Sequence, residues 1–181
     1  MVKDTGVISF ELKDSFFRNY VDEESLIVNF NPTHKFDIEL PIMKDRDILV
    51  VTERFEHYVN NIRVLDSVLS LLDNKRTILK THPIDPDYTG VTRFDFIPRE
   101  IPSELLMSHP WKYVIGVESH SLIRASKWTT ATVISLLELF DYKNPERKTE
   151  LIKWHTEGSN GQTLFPKTLS EFEELITSPT E

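Results

Sequence analysis

A chain of 181 residues, 39% hydrophobic and 28% charged, has the composition of a globular domain, long enough to bury a core without staples and too short for two full domains. A formal charge of -8 excludes a general nucleic-acid binder, whose phosphate affinity needs clustered Lys and Arg, and the lack of cysteine excludes a disulfide framework or a thiolate metal site. No apolar run is long enough to span a bilayer and the first residues lack the apolar stretch of a secretory signal, so a cytoplasmic protein with no transmembrane segment is expected.

Residues 1–45 read as an N-terminal extension, linker or edge segment. Residues 7–12 (VISFEL) and 26–30 (LIVNF) are short β-type runs, and Phe36, Ile38 and Leu40 alternate with Asp37 and Glu39 until Pro41 stops the pattern. Residues 46–181 read as one domain. Ile48-Leu49-Val50-Val51 is a continuous apolar run, expected for a strand buried on both faces, with Thr52-Glu53-Arg54 at its end. Val59, Ile62, Leu65, Val68, Leu69 and Leu72 recur at helical spacing, and residues 77–80 form a second strand, so the three make one βαβ unit.

Residues 93–97 (RFDFI) and 113–117 (YVIGV) are the third and fourth strands, with a short helical turn over 103–107 between them. Residues 119–127 can form a helix with Ser119 as its N-cap, residues 131–136 a fifth strand, and Leu136 to Phe140 is apolar enough to be buried. A helix starts at Pro145 and carries Leu151, Ile152 and Trp154; Ser159-Asn160-Gly161 is a loop. Thr168 and Glu171 fit a capping box opening a final helix with Leu169, Phe172, Leu175 and Ile176 on one face. The sum is an α/β fold, a Rossmann-like parallel sheet with flanking helices.

Three elements carry polar groups where such a sheet binds ligands, at the carboxyl ends of its strands. His82 follows a buried strand and precedes Pro83, which holds it extended; it could give a hydrogen bond or a charge to a phosphate, or be an ordinary loop histidine. Gly116-Val117-Glu118-Ser119-His120-Ser121 takes a strand into a helix, which makes either an anion site of free amides and hydroxyls or a plain cap. Glu104 could accept hydrogen bonds from ribose hydroxyls, or be an exposed glutamate favoured by a helix dipole. His34, His57, His109 and His155 lack zinc spacing, and no G-x-S-x-G elbow, Walker loop or G-x-G-x-x-G occurs. The three tryptophans read as packing residues, and Asp85, Asp87 and Asp95 as solvated carboxylates.

In order and spacing, Lys80-Thr81-His82-Pro83, Ile101-Pro102-Ser103-Glu104-Leu105-Leu106 and Gly116-Val117-Glu118-Ser119-His120-Ser121-Leu122 resemble the nucleotide-binding half of bacterial GT-B glycosyltransferases of the sialyltransferase and polysialyltransferase group. More loosely, they are similar to teichoic-acid polymerases that use CDP-glycerol. The resemblance covers about residues 48 to 140 and implies one half of a GT-B fold. It implies that His82 is the catalytic contact to the phosphate of a CMP-sugar, that Glu104 holds the ribose hydroxyls, and that Ser119 holds the phosphate. Pro83, Gly116 and Ser121 belong to the same nucleotide site, and His120 stands where the group has a second hydroxyl. The implied function is binding of a CMP-activated sugar, CMP-sialic acid by resemblance, for transfer to a glycan acceptor in surface polysaccharide or lipooligosaccharide synthesis. No cofactor and no metal are implied.

The group's catalytic base lies in an Asp/Glu-Asp/Glu-Gly motif of its other domain, and this sequence has none: Asp22-Glu23-Glu24 is followed by Ser25. A partner chain supplying that N-terminal domain, and peripheral contact with a membrane, are therefore open expectations. Two other readings remain beside the transferase half: a non-catalytic half acting as a binding scaffold, and a nucleotide-sugar epimerase of related fold.

Overall fold

Ile48-Leu49-Val50-Val51 becomes the middle strand of a five-stranded sheet. The computed structural model describes residues 40–53, 58–59, 61–82, 93–98 and 101–177. The strands are β1 (Ile48–Val51), β2 (Thr77–Lys80), β3 (Asp95–Ile97), β4 (Tyr113–Gly116) and β5 (Thr132–Ser135), in the order β3-β2-β1-β4-β5. Every pair is parallel, with Ile48 in register with Thr77 on one side and Tyr113 on the other. All four residues of β1, β2 and β4 are buried, which explains why β1 reads as an unbroken apolar run rather than an alternating one; β2 buries Thr77 and Lys80 at its two ends.

Alternate residues feed two separate cores. Ile48 and Val50 pack with Leu65, Val68 and Leu69 of α1 (Asn61–Ser70), and Leu49 and Val51 with Leu122 and Ala125 of α2 (His120–Trp128). The 3-10 helix Ser103–Ser108 adds Leu106 and Met107 to the α2 side. On the α1 side, α3 (Pro145–Gly158) adds Leu151 and α4 (Leu169–Thr177) adds Phe172. The helix joining β1 to β2 and the helix joining β4 to β5 lie on opposite faces, as right-handed crossovers require when the chain moves outward in opposite directions. The order therefore reverses between β1 and β4, and the crevice outside their carboxyl ends is the topological switch point.

Local chemistry sets the ends of these elements. The Ser119 hydroxyl accepts from the Ser121 N–H at 3.2 Å, and Asn144 caps α3 ahead of Pro145. In α4, Thr168 accepts from the Glu171 N–H at 3.1 Å, and the Glu171 carboxylate accepts from the Lys167 N–H at 2.7 Å, a capping box shifted back by one residue. Leu164 bridges to Ile134 and covers the outer edge of β5.

Some boundaries differ from the sequence pattern. The helix begins at Asn61, because the Val59 N–H bonds to the Asp141 carbonyl at 2.8 Å and leaves the Val59 side chain 59% exposed. The third strand begins at Asp95; the Arg93 guanidinium donates to the Leu69 carbonyl ahead of it. The fourth ends at Gly116 and the fifth spans Thr132–Ser135. Pro41 opens the 3-10 helix Pro41–Met43. The expected strands over 7–12 and 26–30, and residues 36–39 of the alternating stretch, lie outside the described residues.

Gly116 is where β4 passes closest to β1. A Cβ there would sit 3.0 Å from the Val51 carbonyl oxygen and 3.3 Å from the Leu122 side chain. The carbonyl is fixed in the sheet, so Gly116→Ala must push β4 or α2 outward. Urea unfolding is expected to show a loss of about 1–3 kcal/mol for this variant; an unchanged midpoint would mean the strands can separate without cost.

Candidate functional site

Three strand ends meet in a row at the carboxyl edge. His82 lies two residues past β2, Glu53 two residues past β1, and Ser119 three residues past β4. Neighbouring strands are about 4.8 Å apart, so the ends of β2 and β4 are separated by roughly 10 Å, with the end of β1 between them. The Thr52 N–H bonds to the Lys80 carbonyl at 3.0 Å, which carries the pairing one residue beyond the strands.

Of the residues singled out by sequence, Ser119, Ser121 and Glu104 are brought together. Ser103 and Ser121 hydroxyls lie 2.6 Å apart, docking the Ser103–Ser108 turn on the first turn of α2. Glu104 does not stand free: its Oε1 accepts from Arg124 Nη1 at 2.8 Å, and the Arg124 guanidinium also lies 5.5 Å from the centre of the Trp128 ring. Gly116 is fully within the sheet, where its missing side chain admits the Val51 carbonyl. His120 is exposed on the first turn of α2, its ring edge-on to Trp154 at 4.5 Å. His82 is half-buried at the neighbouring strand end, and Pro83 lies outside the described residues.

Two buried groups carry more electrostatic tension than any of these. Glu53 is 8% exposed and its Oε1 has no hydrogen-bond partner. Burial pushes its carboxyl up to about 8, the charge of Glu118 pushes the same way, and a hydrogen bond with Ser119 opposes both. Glu53 is therefore a neutral acid at pH 7. Glu118 is held by the Tyr142 hydroxyl, 2.9 Å from its Oε2. Tyr142 has one proton, which the carboxylate takes, so the 3.0 Å contact between Tyr142 and Tyr58 is served by the Tyr58 proton. Burial is the largest cause raising both phenols above their ordinary value; donating to Tyr142 raises Tyr58 further, accepting from Tyr58 pulls Tyr142 back, and the charge of Glu118 pushes both up.

The second group is His155, fully buried on α3, with neither ring nitrogen hydrogen-bonded and Trp154 edge-on at 4.8 Å. Burial pushes its imidazole down to about 4, and the backbone of Glu118, short of hydrogen-bond geometry, only partly opposes this. Neither group was marked by the sequence. The signal for Glu53 was its position directly after the most apolar strand; no sequence signal set His155 apart from other histidines.

No protein-family model and no curated protein matches the chain. Among the described residues, no group of three His, Asp or Glu side chains could hold a metal ion, and no helix is long and apolar enough to cross a membrane. The predicted roles of the other aromatics hold: the Trp111 N–H donates to the Leu106 carbonyl at 2.6 Å inside the core. Asp95 is exposed but ion-paired with Arg46. A groove of about 370 Å³ lined by Arg63, Val64, Ser67, Leu139 and Leu169 shares no residue with the edge site.

Glu53 and His155 give opposite pH dependences to folding. The folded state keeps the Glu53 proton up to about pH 8 while the unfolded chain releases it near 4.5, so stability falls as pH rises through that window. The folded state refuses a proton on His155 down to about pH 4 while the unfolded chain accepts one near 6.5, so stability falls as pH drops through that range. Each slope is about 1.4 kcal/mol per pH unit. Denaturation of the wild type should show the two contributions offsetting between pH 4.5 and 6.5 and a decline from 6.5 to 8. In Glu53→Gln the decline disappears, and in His155→Leu it extends down to about pH 4.5. Identical profiles for all three proteins would contradict both assignments.

Proposed function

We propose that this chain is the donor-binding half of a glycosyltransferase, holding a CMP-activated sugar across the carboxyl ends of β2, β1 and β4. The observation that carries the reading is the shared edge: the Lys80-Thr81-His82 end, the Glu104 turn and the Ser119 cap come from separate parts of the sequence and lie at the switch point of one parallel sheet. The span of roughly 10 Å between the outer two strand ends suits a nucleoside monophosphate. His82 and the amide end of α2 stabilise the negative charge that grows on the phosphate as it leaves.

The chemistry is attack of an acceptor hydroxyl on the anomeric carbon of the sugar. The bond from that carbon to the phosphate oxygen breaks, both electrons go to the phosphate, and CMP departs. The hydroxyl proton passes to a carboxylate of a second domain or a partner chain. The residues of this chain bind the donor and stabilise the leaving group. Glu104 reaches the ribose by exchanging its Arg124 contact, which is exposed enough to be worth about 0–1 kcal/mol.

A second reading, a non-catalytic half acting as a binding scaffold, is favoured by one fact: Glu104 and Ser121 already have partners in Arg124 and Ser103. Calorimetric titration with CMP separates the two. The transferase reading expects binding that weakens at least about tenfold in His82→Ala. It also expects a loss in Glu104→Ala that vanishes with 2′,3′-dideoxy-CMP. Absence of CMP binding, or equal affinity in His82→Ala, would leave the scaffold reading.

A further inference from the structure

We propose that Glu53, in its neutral form, is a hydrogen-bond donor of the phosphate site at the amide end of α2, so that the chain binds a phosphoester only while Glu53 keeps its proton. This rests on the CMP reading above and adds a residue to it that the sequence motifs do not contain.

The placement comes from the sheet. Glu53 emerges from the middle strand of the three, between the His82 end and the Ser119 end. The close passage of β4 over the Val51 carbonyl at Gly116 brings the start of α2 towards it, and the Ser119 side chain is near enough to the Glu53 carboxyl to favour its charged form. Its Oε1 has no partner although the side chain is more than nine-tenths buried. A buried polar oxygen left unsatisfied costs about 1–3 kcal/mol. A bound phosphate oxygen beside α2 removes that cost by accepting the carboxyl proton in a hydrogen bond.

The surrounding charges decide which ligand fits. Glu118 faces Glu53 from the junction of β4 and α2, Tyr58 from the segment after β1, and Tyr142 from the segment after β5. His82 closes the row on the β2 side. The phenols stay neutral, and the Tyr142 hydroxyl covers the Glu118 carboxylate. With Glu53 ionised, two carboxylates would face the oxyanion; with Glu53 neutral, one of them becomes a donor alongside the helix amides. A metal cation fits less well, because no third His, Asp or Glu completes a ligand set among the described residues and the helix dipole opposes a cation there.

The test is calorimetric titration with CMP between pH 6.5 and 9.5, at constant ionic strength and with chelator, in wild type and Glu53→Gln. Above about pH 8 wild-type affinity should fall, approaching tenfold per pH unit, whereas Glu53→Gln, whose amide donates without ionising, should stay within about twofold. His82 is present in both proteins, so its contribution cancels in the comparison. A wild type that binds CMP with no fall in affinity, a Glu53→Gln that falls as the wild type does, or binding that strengthens with pH or with Mg²⁺ overturns the role of Glu53 and leaves the CMP reading standing. No CMP binding at any pH overturns both. Should Glu53→Gln not fold, carbon NMR of the wild-type Glu53 carboxyl decides: CMP must raise its titration midpoint, and an unchanged or lowered midpoint refutes the proposal.

Discussion

The structure depends on β1 being bonded at both edges and buried on both faces. A polar side chain along a strand so placed is costly, and Ile48-Leu49-Val50-Val51 carries none. Polar groups can appear only where the strand leaves the sheet. The reversal of strand order at β1 and β4 then opens a crevice at that end, because α1 and α2 depart to opposite faces and neither covers it. Gly116 narrows the crevice by letting β4 lie against the Val51 carbonyl. Site and core are thus set by the same packing: the tighter the two strands, the closer Glu53 comes to the first turn of α2.

Most polar groups around this edge are already paired, and the pairs are scaffolding. Ser103 with Ser121, Ser135 with the Val117 carbonyl at 2.6 Å, and Tyr142 with Glu118 each tie a loop to a neighbouring element. They hold three loops of distant sequence in one arrangement. Glu53 and His155 break that pattern, as do the hydroxyls of Thr52, Thr77, Tyr113 and Thr163, since each is buried with an unsatisfied polar atom; only Glu53 and His155 are titratable near neutral pH among them. Such groups lower stability unless something outside the fold satisfies them, and native proteins keep few of them. His155 sits among aromatic rings, with no strand end near it in sequence, and is most simply a cost of packing α3. Glu53 stands just past the end of β1, at the switch point of the sheet.

Much of this was legible in the sequence, for physical reasons. A strand buried on both faces is mostly apolar, so β1, β4 and the Ile78-Leu79 centre of β2 announce themselves, and the helix after β1 follows from three- and four-residue spacing. Ser119 was readable as a cap because the preference is local. The start of α1 was not, because Val59 is held by a backbone bond to Asp141, a contact no local pattern encodes. The pairing of Glu104 with Arg124 needed the turn docked on α2. Glu53 lay in plain view after β1, yet what distinguishes it is burial beside Glu118, which only the folded sheet creates.

Glu53 and Glu118 stand in unequal surroundings. Burial keeps the Glu53 carboxyl neutral, and the nearby charge of Glu118 adds to that effect. Glu118 accepts a hydrogen bond from the Tyr142 hydroxyl and is only half-buried. Glu53 has only the Ser119 contact and almost no water. The tyrosine pair therefore does more than fill space: the Tyr142 hydroxyl satisfies Glu118, while Glu53 keeps one oxygen without a partner.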